Sequence, residues 1–381
     1  ILYLMNQNGG IISSIIQDEK DILIGFLMGG LLRLDSHRNY QSERIDIDCG
    51  IFSLWKDDVQ NIVWIGTDGQ GVYSYTKDDY IFKNINLKEL PINKERPVRA
   101  IQTDHLNDLW LGTKDNGIIR IKGYDSSVDY SSKNLSHFTI NDGLSNDAVF
   151  SFALSFSNNI LWIGSDGPNL NYYSYYDKKI HTLTNHTSTS IIKVHSLFEG
   201  SDSVLWVASG NSLLRILLTK KGNAFETRNI KKYTFEVKNR QSFNQIFSLY
   251  PENDSIIWIG MRGNGVIRFN ARTEDYKLIT FDRNSLAPTN DILCIHQDKN
   301  KTFWFGSSYG IIRLDVHPDG NYEYRNYNEN DGLINNTIHG ILEDSEGKLW
   351  LSSNKGLMLF DSIKESFRSF NQKTGLKNNR I

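Results

Sequence analysis

The sequence predicts an all-β fold, a β-propeller of four-stranded blades, from three observations. A motif with a tryptophan and two glycines recurs along the 381 residues, as in "LWLGTKDNGIIRI" from Leu109 and "IWIGMRGNGVIRF" from Ile257. The apolar runs between Gly, Asn and Asp turns are short and rich in β-branched and aromatic residues, which is typical of strands. The sequence has no helical period longer than a couple of turns. Short strands in repeated groups of four indicate a propeller.

Eight copies of the motif align on one anchor residue. The anchors are separated by about 47 residues on average, within the range of about 20 to 50 residues that is typical of repeat architectures. They are Leu23, Trp64, Trp110, Trp162, Trp206, Trp258, Trp304 and Trp350. Among the eight tryptophans, only Trp55 lies outside this register. Propeller repeats are therefore expected over residues 1–381.

Each repeat divides into four segments, which we interpret in order as the strands of one blade. The first is apolar with a small third residue, as in "IFSL" (51–54), and is expected to line the crowded propeller axis. The second carries the tryptophan, which should pack between adjacent blades. The third follows a second glycine, such as Gly265, expected in a turn with positive φ. The fourth is more polar and should form the exposed edge, as in "HFTI" (137–140).

The number of repeats allows two arrangements of the blades. Seven repeats would close a seven-bladed ring with one extra repeat, or all eight would close an eight-bladed ring. "ILYLM" (1–5) resembles the last strand of an earlier repeat, and "TGLKNNRI" (374–381) resembles the opening of a ninth. We therefore expect a piece of a longer array, with a candidate boundary of a second propeller near residues 328–337.

Composition excludes several classes of function. The net charge of −2 provides no basic field for nucleic acid. Cys49 and Cys294 are too few for a disulfide scaffold, although whether they are free is left open. The apolar run at 22–32 is shorter than the roughly 20 residues that a membrane helix needs. The chain starts without a recognisable leader, so it is either cytoplasmic or a piece cut from a longer protein. The nine histidines lack metal-ligand spacing, and no metal or cofactor is expected.

Acidic residues in the repeats point to a structural role. Four repeats place an aspartate six residues before the tryptophan: Asp58, Asp104, Asp298 and Asp344. An aspartate in a tight connection caps backbone N–H groups. Sialidase-type Asp boxes instead place the aspartate five residues before the tryptophan, where none of the seven tryptophan repeats has one. Hydrolysis of a glycoside also needs two facing carboxyl groups, and the acids here fall mostly in turns. We therefore do not expect this chain to be an enzyme.

Arginine recurs at one place in the third segment of five repeats: Arg33, Arg120, Arg215, Arg268 and Arg313. The set could form a basic ligand surface. We favour a structural interpretation, in which each arginine pairs with a turn acid or with carbonyl groups of the next blade, because a buried charge must be paired.

The residues most suited to ligand binding fall at one end of the blades. Arg99, His195 and His339 occupy the second position of the first segment, where other repeats have Phe or Leu. The loops between the second and third segments should open on the same face. Ligands of closed β architectures bind at such mouths. The predicted ligand-binding residues are Arg99, His195, Arg262, Tyr309, His339 and Lys355. Trp55 could stack on a sugar, but packing beneath the second blade is the preferred interpretation.

Two stretches resemble a known repeat family. "GLINNTIHGILEDSEGKLWLSSNKGLMLFD" (332–361) and "NDGLSNDAVFSFAL" (141–154) resemble the two-component regulator propeller repeat, and the resemblance extends over nearly the whole chain. Asn169 and Ala208 stand at positions where the repeat has glycine, so the turns there are expected to differ.

This resemblance implies the periplasmic sensor region of a hybrid two-component histidine kinase, as in gut Bacteroidetes. It implies an oligosaccharide ligand, a second propeller and kinase region of the same protein as partners, and membrane attachment only through a segment beyond this chain. Binding would bias a homodimer that the kinase reads. The alternative is a non-catalytic propeller scaffold that docks proteins, and a lyase or glycoside hydrolase is the least favoured hypothesis.

Overall fold

A computed structural model describes residues 11–370 with gaps at 19, 29, 46, 48, 58–61, 76–96, 125–133, 156, 158, 202, 223, 237–243, 282–289 and 318–320. Within these residues the chain is strand and turn, with single-turn 3-10 helices at Ser36–Arg38, Ile140–Asp142 and Glu329–Asp331. The 31 described strands form eight antiparallel sheets, one for each repeat, which we number blade 1 to blade 8 in chain order.

The blades belong to two compact units, which are described separately. The first unit is Ile1–Phe82 with Asp361–Arg368 and holds blades 1 and 2. Blade 1 contains β1 (Ile12–Asp18), β2 (Asp21–Phe26), β3 (Gly30–Asp35) and β4 (Gln41–Ile45). The described strands of blade 2 are β5 (Ile51–Asp57), β6 (Ile62–Thr67) and β7 (Val72–Tyr75).

The second unit is Lys83–Phe360 with Ser369–Ile381 and holds blades 3 to 7 and most of blade 8. Blade 3 contains β8 (Val98–Thr103), β9 (Leu109–Thr113), β10 (Ile118–Ile121) and β11 (Leu135–Phe138). Blade 4 contains β12 (Val149–Ser155), β13 (Ile160–Ser165), β14 (Asn171–Ser174) and β15 (Lys179–Thr182). Blade 5 contains β16 (Val194–Glu199), β17 (Val204–Ser209), β18 (Ser212–Lys221) and β19 (Ala224–Tyr233). Blade 6 contains β20 (Ile246–Pro251), β21 (Ile256–Met261), β22 (Gly265–Asn270) and β23 (Tyr276–Ile279). Blade 7 contains β24 (Ile292–Gln297), β25 (Phe303–Ser307), β26 (Gly310–Val316) and β27 (Tyr322–Tyr327). Blade 8 contains β28 (Ile338–Glu343), β29 (Leu349–Ser353), β30 (Gly356–Asp361) and β31 (Ser366–Phe370).

The strands of each blade pair in chain order, so every blade is a meander of hairpins. In the second unit the first strands of successive blades also pack side by side, in the order β8, β12, β16, β20, β24 and β28. This is the arrangement expected when first strands surround a common axis. The predicted order of four strands per repeat is confirmed for the seven blades whose fourth strand is described.

Tryptophans of the second unit pack between adjacent blades, as predicted. Trp110 lies in one cluster with Val149 and Tyr173 of blade 4. Trp258 is 1% exposed and contacts Phe303 of blade 7, with ring centroids 4.4 Å apart. An aromatic side chain removes a large apolar area from water, so these contacts hold neighbouring blades together.

A β-bulge interrupts the start of the first strand in all eight blades. The second residue of the first strand is the extra residue of the bulge and has no partner on the second strand. The third residue is paired with the second strand, as Ser248 is with Gly260. A methyl group on Gly260 would overlap the Ser248 hydroxyl and Ile292 of the next blade. The small third residue therefore has a more local cause than crowding at the axis. The bulges lie between Ile12 and Ser14, Ile51 and Ser53, Val98 and Ala100, Val149 and Ser151, Val194 and Ser196, Ile246 and Ser248, Ile292 and Cys294, and Ile338 and Gly340.

The turns between second and third strands need backbone conformations that glycine adopts easily. Gly265 has φ of 77°, which confirms the predicted positive φ. Asn169, at the corresponding place in blade 4, has φ of 70°. Asparagine tolerates this region better than most residues, so the turn keeps its backbone conformation without glycine. Ala208 stands where other blades have the first glycine and still pairs with Ser196.

Candidate functional site

The bulges decide which side chains gather at one end of the second unit. The extra residue of each bulge is the second residue of the first strand, and a bulge re-aims the side chain that it carries. We call these residues the bulge residues. In the second unit they are Arg99, Phe150, His195, Phe247, Leu293 and His339.

The loops between second and third strands lie beside the bulges, as predicted. The backbone N–H of Arg262 donates to the carbonyl of Gln245, just before β20, at 2.8 Å. Asp166 donates in the same way to Ala148, just before β12, at 2.9 Å. These bonds place loop side chains and bulge residues at the same end of the blade.

Three bulge residues of consecutive blades form a continuous row of rings. Phe150 and His195 stack with centroids 4.8 Å apart and planes 7° apart. His195 and Phe247 follow at 4.9 Å with planes 53° apart. The guanidinium of Arg262 lies 6.0 Å from the centre of the Phe247 ring. We call Phe150, His195 and Phe247 the aromatic row. All three are half-buried, so part of each ring faces solvent.

Charged groups surround the histidine of the aromatic row. Burial lowers the pKa of His195 below its usual value, and the nearby cations Arg99 and Lys193 lower it further, while Asp166 acts in the opposite direction. His195 is therefore held in its neutral form near pH 7. The structure thus brings together three of the six predicted site residues, Arg99, His195 and Arg262.

The other three predicted residues lie at the corresponding end of blades 7 and 8. Tyr309 follows β25, and its carbonyl accepts a hydrogen bond from Asn326 at 3.1 Å. The ring of His339 contacts the side chain of Asn354 at 2.8 Å, next to Lys355. These residues have local partners, and their part in ligand binding stays a prediction.

Sequence reasoning missed the residues that complete the row. Phe150 and Phe247 share the position of His195 in the repeat, but as apolar residues they were not selected. Lys193 lies immediately before β16, and Asp166 lies in the loop after β13. The register of the repeat would have found the two phenylalanines, and Lys193 is only two residues before His195 in the sequence. The effect of Asp166 on His195 acts between blades and could not be found in this way.

Trp55 lies in the first unit and differs from the prediction. Its surface is 61% exposed, so the preferred interpretation, packing beneath the second blade, is wrong. It pairs across the strands with Trp64, which is also partly exposed.

The aspartates before the tryptophans have the predicted structural role. Asp104 accepts hydrogen bonds from the backbone N–H groups of Leu106 and Asp108, both at 2.9 Å, and from the indole of Trp110 at 2.8 Å. The same capping is found at Asp298 and Asp344. Asp58 lies outside the described residues.

The arginines of the third strands are structural as well. Each faces the anchor residue of its own blade across the strands, and Arg120 lies 4.9 Å from the ring centre of Trp110. Four of them pair with acids, and Arg215 lies over Trp206 at 5.9 Å. The pairs are Arg33 with Asp21, Arg120 with Asp108, Arg268 with Glu252, and Arg313 with Asp315. These acids belong to the same blade as their arginines, not to the next one.

Known proteins match the sequence and the fold. Residues 287–309 and 332–355 match the model of the family described as two component regulator propeller. The predicted repeat family is thus found in these two stretches. A histidine kinase, P4, of Formosa agariphila is 28% identical over 158 residues, which are 40% of this chain and 11% of that protein.

Solved structures support the propeller fold of these repeats. Two extracellular domains assigned to hybrid two-component systems of B. thetaiotaomicron match with a TM-score of 0.61, at 20% and 19% identity. Each match covers 97% of this chain but only 48% and 49% of the other, so the chain spans about half the length of these relatives. The all-β propeller fold is therefore confirmed, and so is the predicted resemblance to the two-component regulator propeller repeat in the two matched stretches. Among the described residues no helix is long and apolar enough to cross a membrane.

Proposed function

We propose that this chain is part of the periplasmic sensor region of a hybrid two-component system and binds an oligosaccharide at the aromatic row. The observation that carries the proposal is the stack of Phe150, His195 and Phe247 with Arg262 beside it. Aromatic faces suit the apolar side of a pyranose ring, and charged side chains can hydrogen-bond its hydroxyl groups. A mixture of aromatic surface with a few placed polar groups is typical of ligand sites.

The relatives support the signalling part of the proposal. One is a histidine kinase, and others of the same fold are extracellular domains assigned to hybrid two-component systems. Since the chain covers only part of each, we infer that a second propeller, a membrane segment and the kinase belong to the rest of the protein. Binding would change the relative stability of two arrangements of a homodimer, and the kinase would respond to that change.

Binding and hydrolysis place different demands on the acids near the aromatic row. Asp166 is the acid that acts on His195. A retaining glycosidase needs two carboxyl groups about 5 Å apart, and an inverting enzyme needs two about 6.5–9.5 Å apart. We propose a sensor that releases its ligand unchanged, and recovery of the intact ligand tests this against hydrolysis.

The test is a calorimetry and thermal-shift screen of the purified chain against plant, algal and animal oligosaccharides. A ligand at about 100 times its Kd should stabilise the folded state by about 2.7 kcal/mol. We expect saturable binding, ligand recovered intact by mass spectrometry, and loss of binding in Phe247→Ala. Tyr176→Ala, which removes an aromatic ring 77% exposed on the outer part of blade 4, is the matched control. Cleavage of the ligand would indicate an enzyme. Failure of every oligosaccharide to bind would favour the protein-docking scaffold.

A further inference from the structure

Two kinds of cation in the second unit differ in their partners. Arg120 and its counterparts on third strands pair with acids of their own blades or lie over tryptophan. Arg99 and Lys193, beside the aromatic row, are exposed and form no ion pair with an acid in the part of the chain that the structure describes. A cation without an internal partner keeps its full capacity to bind an anion from solution.

We propose that the ligand is an acidic oligosaccharide, whose carboxylate or sulfate group is bound by Arg99, Lys193 and Arg262 while a sugar ring lies against the aromatic row. This inference rests on the proposed sensor function and names the chemical class of its ligand. The guanidinium fork of arginine matches the geometry of both carboxylate and sulfate oxygens.

The backbone of Lys193 provides an independent observation. Lys193 has φ of 50°, in the left-handed region that residues other than glycine seldom adopt. Its carbonyl accepts a hydrogen bond from Gly210, and the neighbouring Ile192 is held by two bonds to the Ser209 hydroxyl, each 2.9 Å long. Strained conformations of this kind persist where the surrounding structure enforces them, and turns elsewhere in this chain adopt the same region at Lys178 and Lys301. Here the strain fixes a lysine immediately before the bulge that carries His195.

Two acids at this end of the blades have hydrogen-bond partners of their own. Asp147 accepts a hydrogen bond from the backbone of Ile140 at 2.9 Å. Asp291 accepts one from the hydroxyl of Ser308. The charged groups that act on the ring of His195 are one acid, Asp166, and two cations, Arg99 and Lys193. Two cations beside one acid attract an anionic group of a ligand, and they can also donate hydrogen bonds to the neutral hydroxyl groups of a sugar.

The position of the cations also fits a ligand longer than one sugar. Arg99 belongs to blade 3, Lys193 to blade 5 and Arg262 to blade 6, while the aromatic row runs through blades 4, 5 and 6. An acidic group on either side of a stacked sugar ring would meet a cation. Blades 3 to 6 thus offer contacts, aromatic or cationic, to successive parts of one oligosaccharide.

The experiment compares matched tetrasaccharides that differ only in charge. Uronate-containing tetrasaccharides are paired with their carboxyl-reduced forms, and sulfated ones with their desulfated forms, in calorimetric titrations of the purified chain. We expect at least one acidic member to bind about tenfold or more tightly than its neutral partner. Its affinity should fall as NaCl rises, because salt screens exposed charges. The two series separate a carboxylate from a sulfate requirement.

Charge-removal variants locate the contact. Arg99→Gln/Arg262→Gln should weaken the acidic ligand about tenfold or more and should weaken its neutral partner much less. Arg228→Gln/Lys232→Gln removes two exposed cations from β19 and is the matched control. Equal binding of the neutral partner, or full affinity in the first variant, would overturn the acidic class and leave the sensor proposal intact. Failure of every tetrasaccharide to bind would overturn both.

Discussion

At the hairpin between the first two strands of blade 3, both acidic side chains are hydrogen-bonded to other side chains. Asp104 accepts a hydrogen bond from the indole of Trp110, and Asp108 accepts one from the guanidinium of Arg120. The Tyr175 hydroxyl of blade 4 donates to Asp104 at 2.7 Å. At the opposite end of the same blade, the bulge residue Arg99 is exposed. Stability is thus concentrated at the tryptophan end, while the bulge end keeps polar groups that a ligand can use.

Burial explains why the two ends tolerate charge so differently. Burial alone would raise the pKa of Asp104, but hydrogen bonds from Trp110, Tyr175 and two backbone N–H groups outweigh it and hold that pKa below its usual value. The carboxylate therefore stays ionised and fully bonded. At the bulge end solvent replaces these partners, so a charged residue can change from blade to blade at little cost.

The largest expected effect is at the buried ion pair of blade 3. Arg120 and Asp108 have side chains 9% and 5% exposed, so Arg120→Met leaves a buried carboxylate without its cation. We expect a loss of about 3–5 kcal/mol in the free energy of unfolding, measured by urea denaturation. The control is Arg313→Met in blade 7, where the pair is 36% and 40% exposed and the loss should be below about 1 kcal/mol. Equal losses of unfolding free energy in the two variants would contradict the interpretation that burial determines how much each ion pair contributes.

Asp104→Ala should have the next largest effect. It leaves the indole N–H of Trp110, the hydroxyl of Tyr175 and two backbone N–H groups without their acceptor. We expect a loss of about 3 kcal/mol, because each buried unsatisfied donor costs about 1–3 kcal/mol and water can reach some of them. Asp344→Ala is the matched variant, since its bond to Trp350 is longer, at 3.3 Å, and that tryptophan is half-buried. A larger loss at Asp344 would contradict this interpretation.

The two ends also differ in how far sequence predicts them. At the tryptophan end, spacing alone identifies Asp104, Trp110 and Arg120, because several repeats place the same residue types at these positions. At the bulge end, spacing identifies Arg99 and His195 but gives no reason to prefer them over other exposed polar residues. The blade count and the candidate boundary near 328–337 remain predictions, since ring closure involves residues far apart in sequence.

The bulge is the feature of the fold that sequence did not predict, although its signal is present. The small third residue and the first glycine recur together because they face each other across two strands, as Ser151 faces Gly164. A pair of small residues at a fixed separation is visible in the sequence. The sequence does not show that the second residue of the strand, just before the small residue, is the extra residue of a bulge. That depends on the register between the first two strands.

Gly260→Ala tests the backbone that supports the bulge. The added methyl group would overlap the Ser248 hydroxyl and the side chain of Ile292. We expect a loss of about 1–3 kcal/mol from overpacking, measured by thermal unfolding. Ser248→Gly in the same protein removes one of the two clashes and should recover part of the loss. If Gly260→Ala is neutral, the close pairing of these strands is not what requires a small residue.

His195→Gln should have the smallest effect on stability near pH 7 and a distinct effect in acid. Burial and the cations Arg99 and Lys193 lower the pKa of His195 in the folded state, with Asp166 opposing them. The folded state then binds fewer protons than the unfolded chain, so the wild type loses stability as pH falls below about 6.5. The variant has no imidazole to protonate, and its melting temperature should fall less between pH 7.5 and pH 5. His317→Gln, which removes an imidazole from blade 7, serves as the control, and parallel curves for wild type and His195→Gln would contradict the prediction. An acidic ligand should reduce the difference between wild type and variant, because an anion beside His195 favours the protonated ring that burial disfavours.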